Sequence, residues 1–356
     1  IRRSQTMKKF LALVLAAVMA LALVACGGGN SGANAGNSGN AGANAGANSG
    51  ADASAPDDSA PAGSYTIGIC QYAPHPALDA ATEGFKDALN ELLPGQVEFD
   101  EQNAAGDGPT CATIANGFVS AGVDLIMANA TGPLQAAATA TTDIPVLGTS
   151  VTEYGVALGI DNFSGTVGSN VSGTSDLAPL DQQAAMIQEW FPDAKNVGLL
   201  YCSQEPNSQY QVDTVQAELE KLGYTCTQYP FSDTNDMASV TQSAADNSDV
   251  LYVPTDNTVA NNTGVVDNIC RPMGIPIIAG EEGICGGCGV ATLSISYYDI
   301  GYKTGEMAAQ ILTGEADVST MPIEYAPQFT KKYNEAICTD LGLTPLEGYE
   351  AIAPAE

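Results

Sequence analysis

The chain has 356 residues, with 41 acidic against 11 basic side chains, a single histidine and a formal net charge of −30. Phosphate contacts need clustered lysine and arginine, so this charge excludes nonspecific nucleic-acid binding as a main role. The part of the chain from about residue 65 onward is long enough for two domains of ordinary size.

The first 25 residues predict a signal peptide. Four basic residues flank or precede the apolar run FLALVLAAVMALALVAC, which ends in Ala25 and Cys26. A basic segment, an apolar core and a small residue before the cleavage point are typical of secretion signals. A cysteine at this place matches the bacterial lipoprotein pattern, in which Cys26 carries the lipid and becomes the mature N-terminus. The run is short for the alternative, a transmembrane anchor, so we expect a protein lipid-anchored at the extracellular face of the cell membrane.

Residues 26–63 comprise the lipidated cysteine and a linker. The segment is almost entirely Gly, Asn, Ala and Ser, and it closes with acidic and proline residues. This composition cannot bury a core and is typical of a flexible, disordered tether.

The rest of the chain alternates predicted strands and helices. In the first of two runs, helix PALDAATEGFKDALNELLPG places its large apolar residues on one face, and Pro94-Gly95 ends it. The elements of this run are, in order, YTIGIC (strand), that helix, QVEFDEQNA (strand), PTCATIANGFVSAG (helix), VDLIMANA (strand), PLQAAATATT (helix) and DIPVLGTSV (strand).

A Gly/Ser-rich crossing, DNFSGTVGSNVSGTSD, precedes a second run of the same kind. Its elements are LDQQAAMIQEWFP (helix), NVGLLYC (strand), SQYQVDTVQAELEKLG (helix), YTCTQYP (strand), MASVTQSAADN (helix), SDVLYVPT (strand), NNTGVVDNICRPMG (helix) and IPIIAG (strand), followed by GVATLSI (strand) and YYDIGYKTGEMAAQILTG (helix). Such alternation predicts an α/β protein with two doubly wound parallel sheets in two domains.

Ligands of open α/β sheets bind beyond the carboxyl ends of the strands, so the cleft between two such domains is the expected site. Hydroxyls and amides at helix starts suit a carboxylate, acids suit an ammonium, and Tyr72 offers a flat apolar wall. These groups fit a zwitterion with an apolar part, although the same serines, threonines and acids can instead cap helices. The candidate ligand-binding residues are Tyr72, His75, Thr131, Thr149, Ser150, Val151, Ser203, Glu205, Asn207, Ser208, Asp256 and Asn257.

His75 follows the first strand, between two prolines. It lacks partners for a metal site, and nothing suggests a nucleophile beside it. The G-x-S-x-G, G-x-x-x-x-G-K-[ST] and H-E-x-x-H patterns do not occur, so we expect a protein that is not an enzyme and uses no cofactor or metal. Tyr72 is favoured as a direct contact, while His75 is either a group at the cleft rim or an ordinary loop residue.

Eight cysteines follow Cys26. The pair Cys285-Gly-Gly-Cys288 lacks a second pair for a metal site, so a local disulfide or two free thiols is expected. Cys202 and Cys226 lie on consecutive predicted strands, where a bridge is possible.

Several short motifs, in this order, carry a resemblance: HPALD, GTSVT, NVSGTSD, GLLYCSQEPNSQYQ, YVPTDNT and AGEEG…GGCGVATLSISYYDIG. From about residue 65 to 343 the chain resembles the ABC-transporter substrate-binding proteins of the tryptophan/tyrosine type. The resemblance implies a type I periplasmic-binding-protein clamshell with a three-stranded hinge, whose lobes we place at 64–174 plus 297–318 and at 175–296 plus 319–350. It also implies an aromatic amino acid as solute, and a permease and an ATPase as partners.

By the same resemblance, Thr131, Thr149 and Val151 would meet the ligand carboxylate and Asp256 its ammonium. The second lobe would add Ser203, Glu205, Asn207 and Ser208. Three cysteines, Cys202, Cys285 and Cys288, depart from the family pattern as we know it. The alternatives that remain are another solute on the same scaffold (a sugar, a purine or a peptide), a ligand sensor for a membrane receptor, and an extracellular hydrolase.

Overall fold

The computed structural model describes residues 64–353. The predicted signal peptide, Cys26 and the predicted linker lie outside these residues. The strands are β1 (Tyr65–Gln71), β2 (Val97–Asn103), β3 (Leu125–Asn129), β4 (Val146–Val151), β5 (Val171–Ser175), β6 (Asn196–Cys202), β7 (Thr225–Phe231), β8 (Val250–Val253), β9 (Ile277–Ala279), β10 (Ala291–Ser294), β11 (Glu324–Tyr325), β12 (Thr330–Tyr333) and β13 (Glu350–Ala351).

The helices alternate with these strands. They are α1 (Pro76–Leu92), α2 (Gly108–Ala121), α3 (Thr131–Ala140), α4 (Tyr154–Leu158), α5 (Leu180–Trp190), α6 (Pro206–Lys221), α7 (Thr234–Asn247), α8 (Asn257–Ala260), α9 (Thr263–Met273), α10 (Glu282–Cys288), α11 (Tyr297–Leu312) and α12 (Glu335–Asp340), with a short 3₁₀ helix at Val318–Thr320. Within residues 64–353, no helix combines the length and the apolar character that a membrane crossing requires.

The strands form two sheets, each the centre of one lobe. The first has the order β11-β5-β4-β3-β1-β2 and is parallel throughout, while the second has the order β13-β12-β10-β9-β8-β6-β7 with one antiparallel pair, β10 with β12. Helices cover both faces of each sheet, so every residue of the central strands β3 and β8 is buried.

In the first lobe, α1 and α11 cover one face of the sheet, and α2, α3 and α4 cover the other. The backbones of α1 and α11 approach closely at Gly84, where an added Cβ would collide with the backbone of Tyr298. In the second lobe, α5, α6 and α12 pack on one face, and α7 to α10 on the other.

The chain passes between the lobes three times: between β5 and α5, between β10 and α11, and between β11 and β12. The residues 161–176, which we expected to be only a crossing, contain β5. This strand was not predicted because its glycine and serine residues lack the apolar pattern that is usual in a buried strand. β11 pairs with β5 at Glu324 and Tyr325, so the third passage follows Tyr325, whereas the sequence placed it after residue 318.

All eight cysteines of the described part are free, including Cys202 and Cys226. Cys285 and Cys288 are buried in α10, a helix that the sequence analysis did not identify. Burial raises the pKa of both thiols well above the ordinary value. These two thiols are therefore part of the core and are not poised for redox chemistry.

Candidate functional site

Two adjacent cavities lie where the carboxyl ends of both sheets meet. The inner cavity, of about 10 Å³, has room for roughly one water molecule. The outer cavity measures about 370 Å³, and Asn207 and Asn257 line both. The inner cavity is lined by His75, Leu78, Ser150, Thr152, Asp176, Asn207, Thr255, Asp256, Asn257, Ala260, Glu281 and Tyr297.

The outer cavity is bounded by α2 and α3 of the first lobe and by the start of α6 in the second. Tyr72 forms one wall, and Gly132 lies so close to it that an added Cβ would stand 3.1 Å from the tyrosine ring. The remaining walls are Gly108, Ala112, Asn116, Gln135, Ala136, Thr139, Ala140, Gln204, Glu205, Pro206, Asn207 and Asn257. The arrangement offers a flat aromatic face beside a site for a large apolar group.

A third concavity, of about 490 Å³, lies on the outer edge of the first lobe between α1 and β2. It is lined entirely by polar and charged side chains, among them Asp79, Glu83, Asp87 and Glu101. Its walls come from the first lobe alone, so we place the functional site at the two cavities whose walls come from both lobes.

Two buried acids of the second lobe hold the short helix α8. Glu205 accepts hydrogen bonds from the backbone N–H groups of Asn257 (3.0 Å) and Thr258 (2.8 Å). Asp256 accepts from the N–H groups of Val259 (2.9 Å) and Cys202 (2.7 Å), and from the hydroxyl of Ser208. The N–H groups at the start of α8 are therefore occupied by protein carboxylates and are not available to a ligand carboxylate.

Glu281 acts in the same way at α10, where its carboxylate accepts from the N–H groups of Gly283 and Ile284. Burial raises the pKa of Glu281 to about 7. Burial, together with the nearby Glu205, also raises the pKa of Asp256.

Asp176 differs from these three acids. It lies on the first passage between the lobes and is only 4% exposed, and its Oδ2 accepts a hydrogen bond from Tyr297 at 3.0 Å. Its Oδ1 has no partner. Burial raises the pKa of Asp176, while Tyr297 and Thr152 oppose that shift.

Ser150 sits on a strained part of the first lobe. Its φ is +54°, and the register of β4 against β5 shifts between Gly148 and Val151, as in a β-bulge. Such geometry is uncommon for a residue other than glycine and is often found beside functional sites. The bulge places the Ser150 side chain in the inner cavity, where its hydroxyl has no partner.

His75 connects the lobes. It precedes the first residue of α1, and its Nε2 lies 3.2 Å from Oδ1 of Asn257 in the second lobe. Burial lowers the pKa of the imidazole, against opposing contributions from Asn257, Glu205 and Asp79. The histidine is therefore a buried residue between the lobes.

Of the twelve candidate residues, the structure brings these to the cavities: Tyr72, His75, Ser150, Glu205, Asn207, Asp256 and Asn257. The others lie nearby but do not line either cavity. Thr149 bonds Thr174, Val151 is in the core, Ser203 bonds the carbonyl of Phe231, Ser208 bonds Asp256, and Thr131 begins α3.

Sequence reasoning missed Asp176 and Tyr297. Asp176 directly follows β5, the strand that was not predicted because of its glycine and serine residues. Prediction of that strand would have made Asp176 a candidate as a residue at a strand end. Tyr297 begins α11 after the second passage, and only the tertiary structure brings its hydroxyl to Asp176.

Comparison with known proteins identifies the family. The family described as "ABC transporter substrate binding protein" matches residues 66–352. This chain belongs to that family. The substrate-binding protein has a curated relative, the "Tyrosine-binding protein" of Clostridioides difficile (strain R20291), to which it is 38% identical over 72% of its own length and 75% of the relative's.

Solved structures define the fold as the type I periplasmic-binding-protein clamshell of two doubly wound domains. An ABC domain from Streptococcus pneumonia, in complex with L-Trp, matches at a TM-score of 0.77 and 32% identity, over 81% of this chain and all of that one. A ligand-free, open substrate-binding protein with adhesive properties, from Clostridium difficile, matches at 0.63 and 38% identity, over 82% of this chain and all of that one. The better fit to the L-Trp complex, despite lower identity, agrees with lobes that contact each other across the cleft at His75 and Asn257.

Proposed function

We propose that this protein captures an aromatic amino acid in its cleft and delivers it to the permease and ATPase of an ABC importer. The observation that carries the proposal is the pairing of two cavities, one large and walled by Tyr72, the other small, buried and polar. An aromatic amino acid has the same division, since a flat apolar side chain is joined to a compact charged head. The relatives support the choice, one being named for tyrosine and another bound to L-Trp.

The geometry favours binding without catalysis. Ser150, His75 and Asp176 line one cavity, which raises the question of a hydrolytic triad. A triad needs hydrogen bonds from serine to histidine and from histidine to the acid. Here the imidazole bonds Asn257, and neither Ser150 nor Asp176 bonds it. We therefore infer a receptor that works by opening and closing about its hinge.

Isothermal titration with L-Tyr, L-Trp, L-Phe, L-Leu and glucose tests the ligand class. We expect the aromatic amino acids to bind more tightly than L-Leu, and glucose not to bind. Tyr72→Ala should weaken aromatic ligands by about tenfold or more, because it removes a stacking wall. Tyr302→Ala is the matched control, since that hydroxyl bonds Glu91 on the outside of the first lobe. Absence of binding by every amino acid would refute the proposal.

We also propose that the protein is a lipoprotein held at the extracellular face of the membrane through Cys26. The support is the sequence layout of residues 1–26 and the membrane location of the proposed permease. Cys26→Ser should abolish incorporation of a labelled fatty acid and move the protein out of the membrane fraction. Retention of label in that variant would contradict the assignment. Loss of labelled amino-acid uptake in cells lacking the protein would support import over sensing.

A further inference from the structure

Three buried polar atoms without partners belong to residues that line the inner cavity. They are His75 Nδ1, Ser150 Oγ and Asp176 Oδ1, in residues that are 6%, 5% and 4% exposed. They come from three separate places: the start of α1, the bulge of β4 and the first passage between the lobes. A buried polar atom without a partner costs free energy, so three around one small space indicate a group that they are built to meet.

The hydrogen-bond network determines what His75 presents to this space. Glu205 accepts from two N–H groups of the backbone, the hydroxyl of Thr258 and Nδ2 of Asn257 at 2.7 Å, so it acts as an ionised acceptor. This orients the Asn257 amide with Oδ1 toward His75. The imidazole must then donate through Nε2, and in its neutral form Nδ1 is an acceptor.

The charged groups around the inner cavity also favour a ligand group that donates hydrogen bonds. Among residues 64–353, no lysine or arginine lines either cavity, and no basic group lies within 4 Å of the Asp176 carboxylate. Asp176 and His75 both offer acceptors, and Ser150 offers a hydroxyl that accepts or donates. A compact cation with several N–H donors, about the size of a water molecule, satisfies all three.

We propose that the inner cavity is an ammonium site formed by Asp176, His75 and Ser150, and that a primary amine is the group the cleft requires of its ligand. The inference rests on the proposed function and names the ligand class more narrowly, as aromatic primary amines with or without a carboxylate. The carboxylate has a smaller role because no cationic side chain lines the cavities and because Glu205 and Asp256 occupy the N–H groups at the start of α8.

Titration calorimetry with matched analogues of one ligand tests the requirement for an amine. The panel is L-Tyr, tyramine, 3-(4-hydroxyphenyl)propanoate and N-acetyl-L-tyrosine, with L-Trp and tryptamine as a second series. We expect the amines to bind within about tenfold of the amino acids, a difference of one modest interaction. The deaminated and acylated acids should lose more than about 100-fold, since they leave a buried carboxylate unpaired.

The outcomes separate the two proposals. Binding of the deaminated or acylated acid as tightly as tyramine would overturn the ammonium site and leave amino-acid capture standing. Failure of every compound in both series to bind would overturn the ammonium site and the proposed function together.

Asp176→Asn tests the site directly, because it keeps the shape and an acceptor for Tyr297 while it removes the charge. We expect it to lose more than about 100-fold in affinity for L-Tyr and for tyramine alike. Asp246→Asn makes the same change on the exposed face of α7 and should bind as the parent does. Unchanged affinity in folded Asp176→Asn would refute the site.

A second variant keeps the test decisive if Asp176→Asn does not fold. His75→Gln retains a donor for Asn257 and loses the Nδ1 acceptor, so amines and amino acids should weaken by about tenfold. The deaminated acid should not weaken further. Equal weakening of compounds with and without an amine would show that His75 acts on the shape of the cleft, and would count against the site.

Discussion

The second lobe and the hinge both contribute buried acids to the cleft, and these acids differ in how completely their oxygens are hydrogen-bonded. On the second lobe, Glu205 and Asp256 have both carboxylate oxygens hydrogen-bonded, by backbone N–H groups and by polar side chains in equal number. At the hinge, Asp176 has one oxygen bonded by Tyr297 and one without a partner. The comparison shows that burial and charge alone do not identify a ligand-binding acid. A carboxylate whose oxygens are all hydrogen-bonded within the protein stabilises the loop around it. A carboxylate with an oxygen that lacks a partner can accept a hydrogen bond from a ligand.

The largest expected effect is on the stability of the second lobe, where the acids are fully hydrogen-bonded. Asp256→Ala removes the acceptor of two backbone N–H groups and of the Ser208 hydroxyl, all of them buried. We expect the free energy of unfolding to fall by about 3 kcal/mol, since three buried hydrogen bonds are lost and their donors stay unsatisfied. Urea denaturation measures it. Asp176→Asn should leave the unfolding midpoint unchanged or raise it, because an uncompensated buried charge disappears. A larger loss of stability in Asp176→Asn than in Asp256→Ala would contradict the different roles of these two acids.

An intermediate effect is expected at the apolar end of the cleft. Gly132→Val places new atoms against the Tyr72 ring, which already lies 3.1 Å from an ideal Cβ at this position. The outer cavity narrows, so affinity for L-Trp should fall by about tenfold, the effect of one lost contact of about 1.4 kcal/mol. Titration calorimetry checks this, with Gly117→Val in α2, where an added Cβ meets nothing, as the control. Equal affinity in both variants would place the aromatic ring elsewhere.

The smallest effect is on the pH dependence of binding. Burial lowers the pKa of His75 from its ordinary value of 6.5. The neutral imidazole, whose Nδ1 accepts a hydrogen bond from the ligand, is therefore the main form at pH 6.5 and above. The contribution of His75 to the affinity should be constant between pH 7 and 8, where two acids of the same cavity, Glu281 with a pKa raised to about 7 and Asp256 with a pKa raised to about 8, add their own pH dependence. It should decline as the pH falls through the lowered pKa, by at most about tenfold per unit for one proton. Protonation of Asp176, whose pKa is raised by burial, acts in the same direction.

His75→Gln separates the histidine from the acids, because only the contributions of Asp176, Asp256 and Glu281 remain in that variant. The other charged groups that face the imidazole, Glu205 and Asp79, oppose the lowering and are present in both proteins. A titration of affinity from pH 5 to 8 in the two proteins gives the difference. Affinity of the parent that rises as the pH falls would contradict an ammonium bound by neutral His75.

Much of the fold was open to sequence reasoning. Apolar runs in β1, β3, β6 and β8 and the helical periodicity of α1 predicted two parallel sheets, because strands buried on both faces are rich in apolar residues. Both sheets are parallel except for the antiparallel pair of β10 with β12. β5 was not predicted because its residues, VSGTS, are mostly small and polar. The strand is buried because neighbouring elements of the fold cover it. The helix of Cys285 and Cys288 was missed because two glycines interrupt it.

The site was predictable in position and only partly in its members. Strand-end loops yielded Tyr72, Glu205, Asn207 and Asn257 because carboxyl ends of parallel strands share one edge. Sequence cannot tell a capping acid from a ligand-binding acid, since both follow strands and precede helices. Asp256 was therefore assigned to an ammonium, although its oxygens are filled by Val259, Cys202 and Ser208.

The α/β class, the two lobes, the family resemblance and the strand ends that form the cleft could be read from the sequence, because these follow from local patterns of apolar and small residues. Which buried polar atoms lack a hydrogen-bond partner became visible only in the folded protein. Residues 75, 150 and 176 meet only when both lobes and the hinge come together, and whether a hydrogen-bonding atom is satisfied depends on partners far away in the chain. His75 is an example, since its role depends on Asn257, 182 residues later.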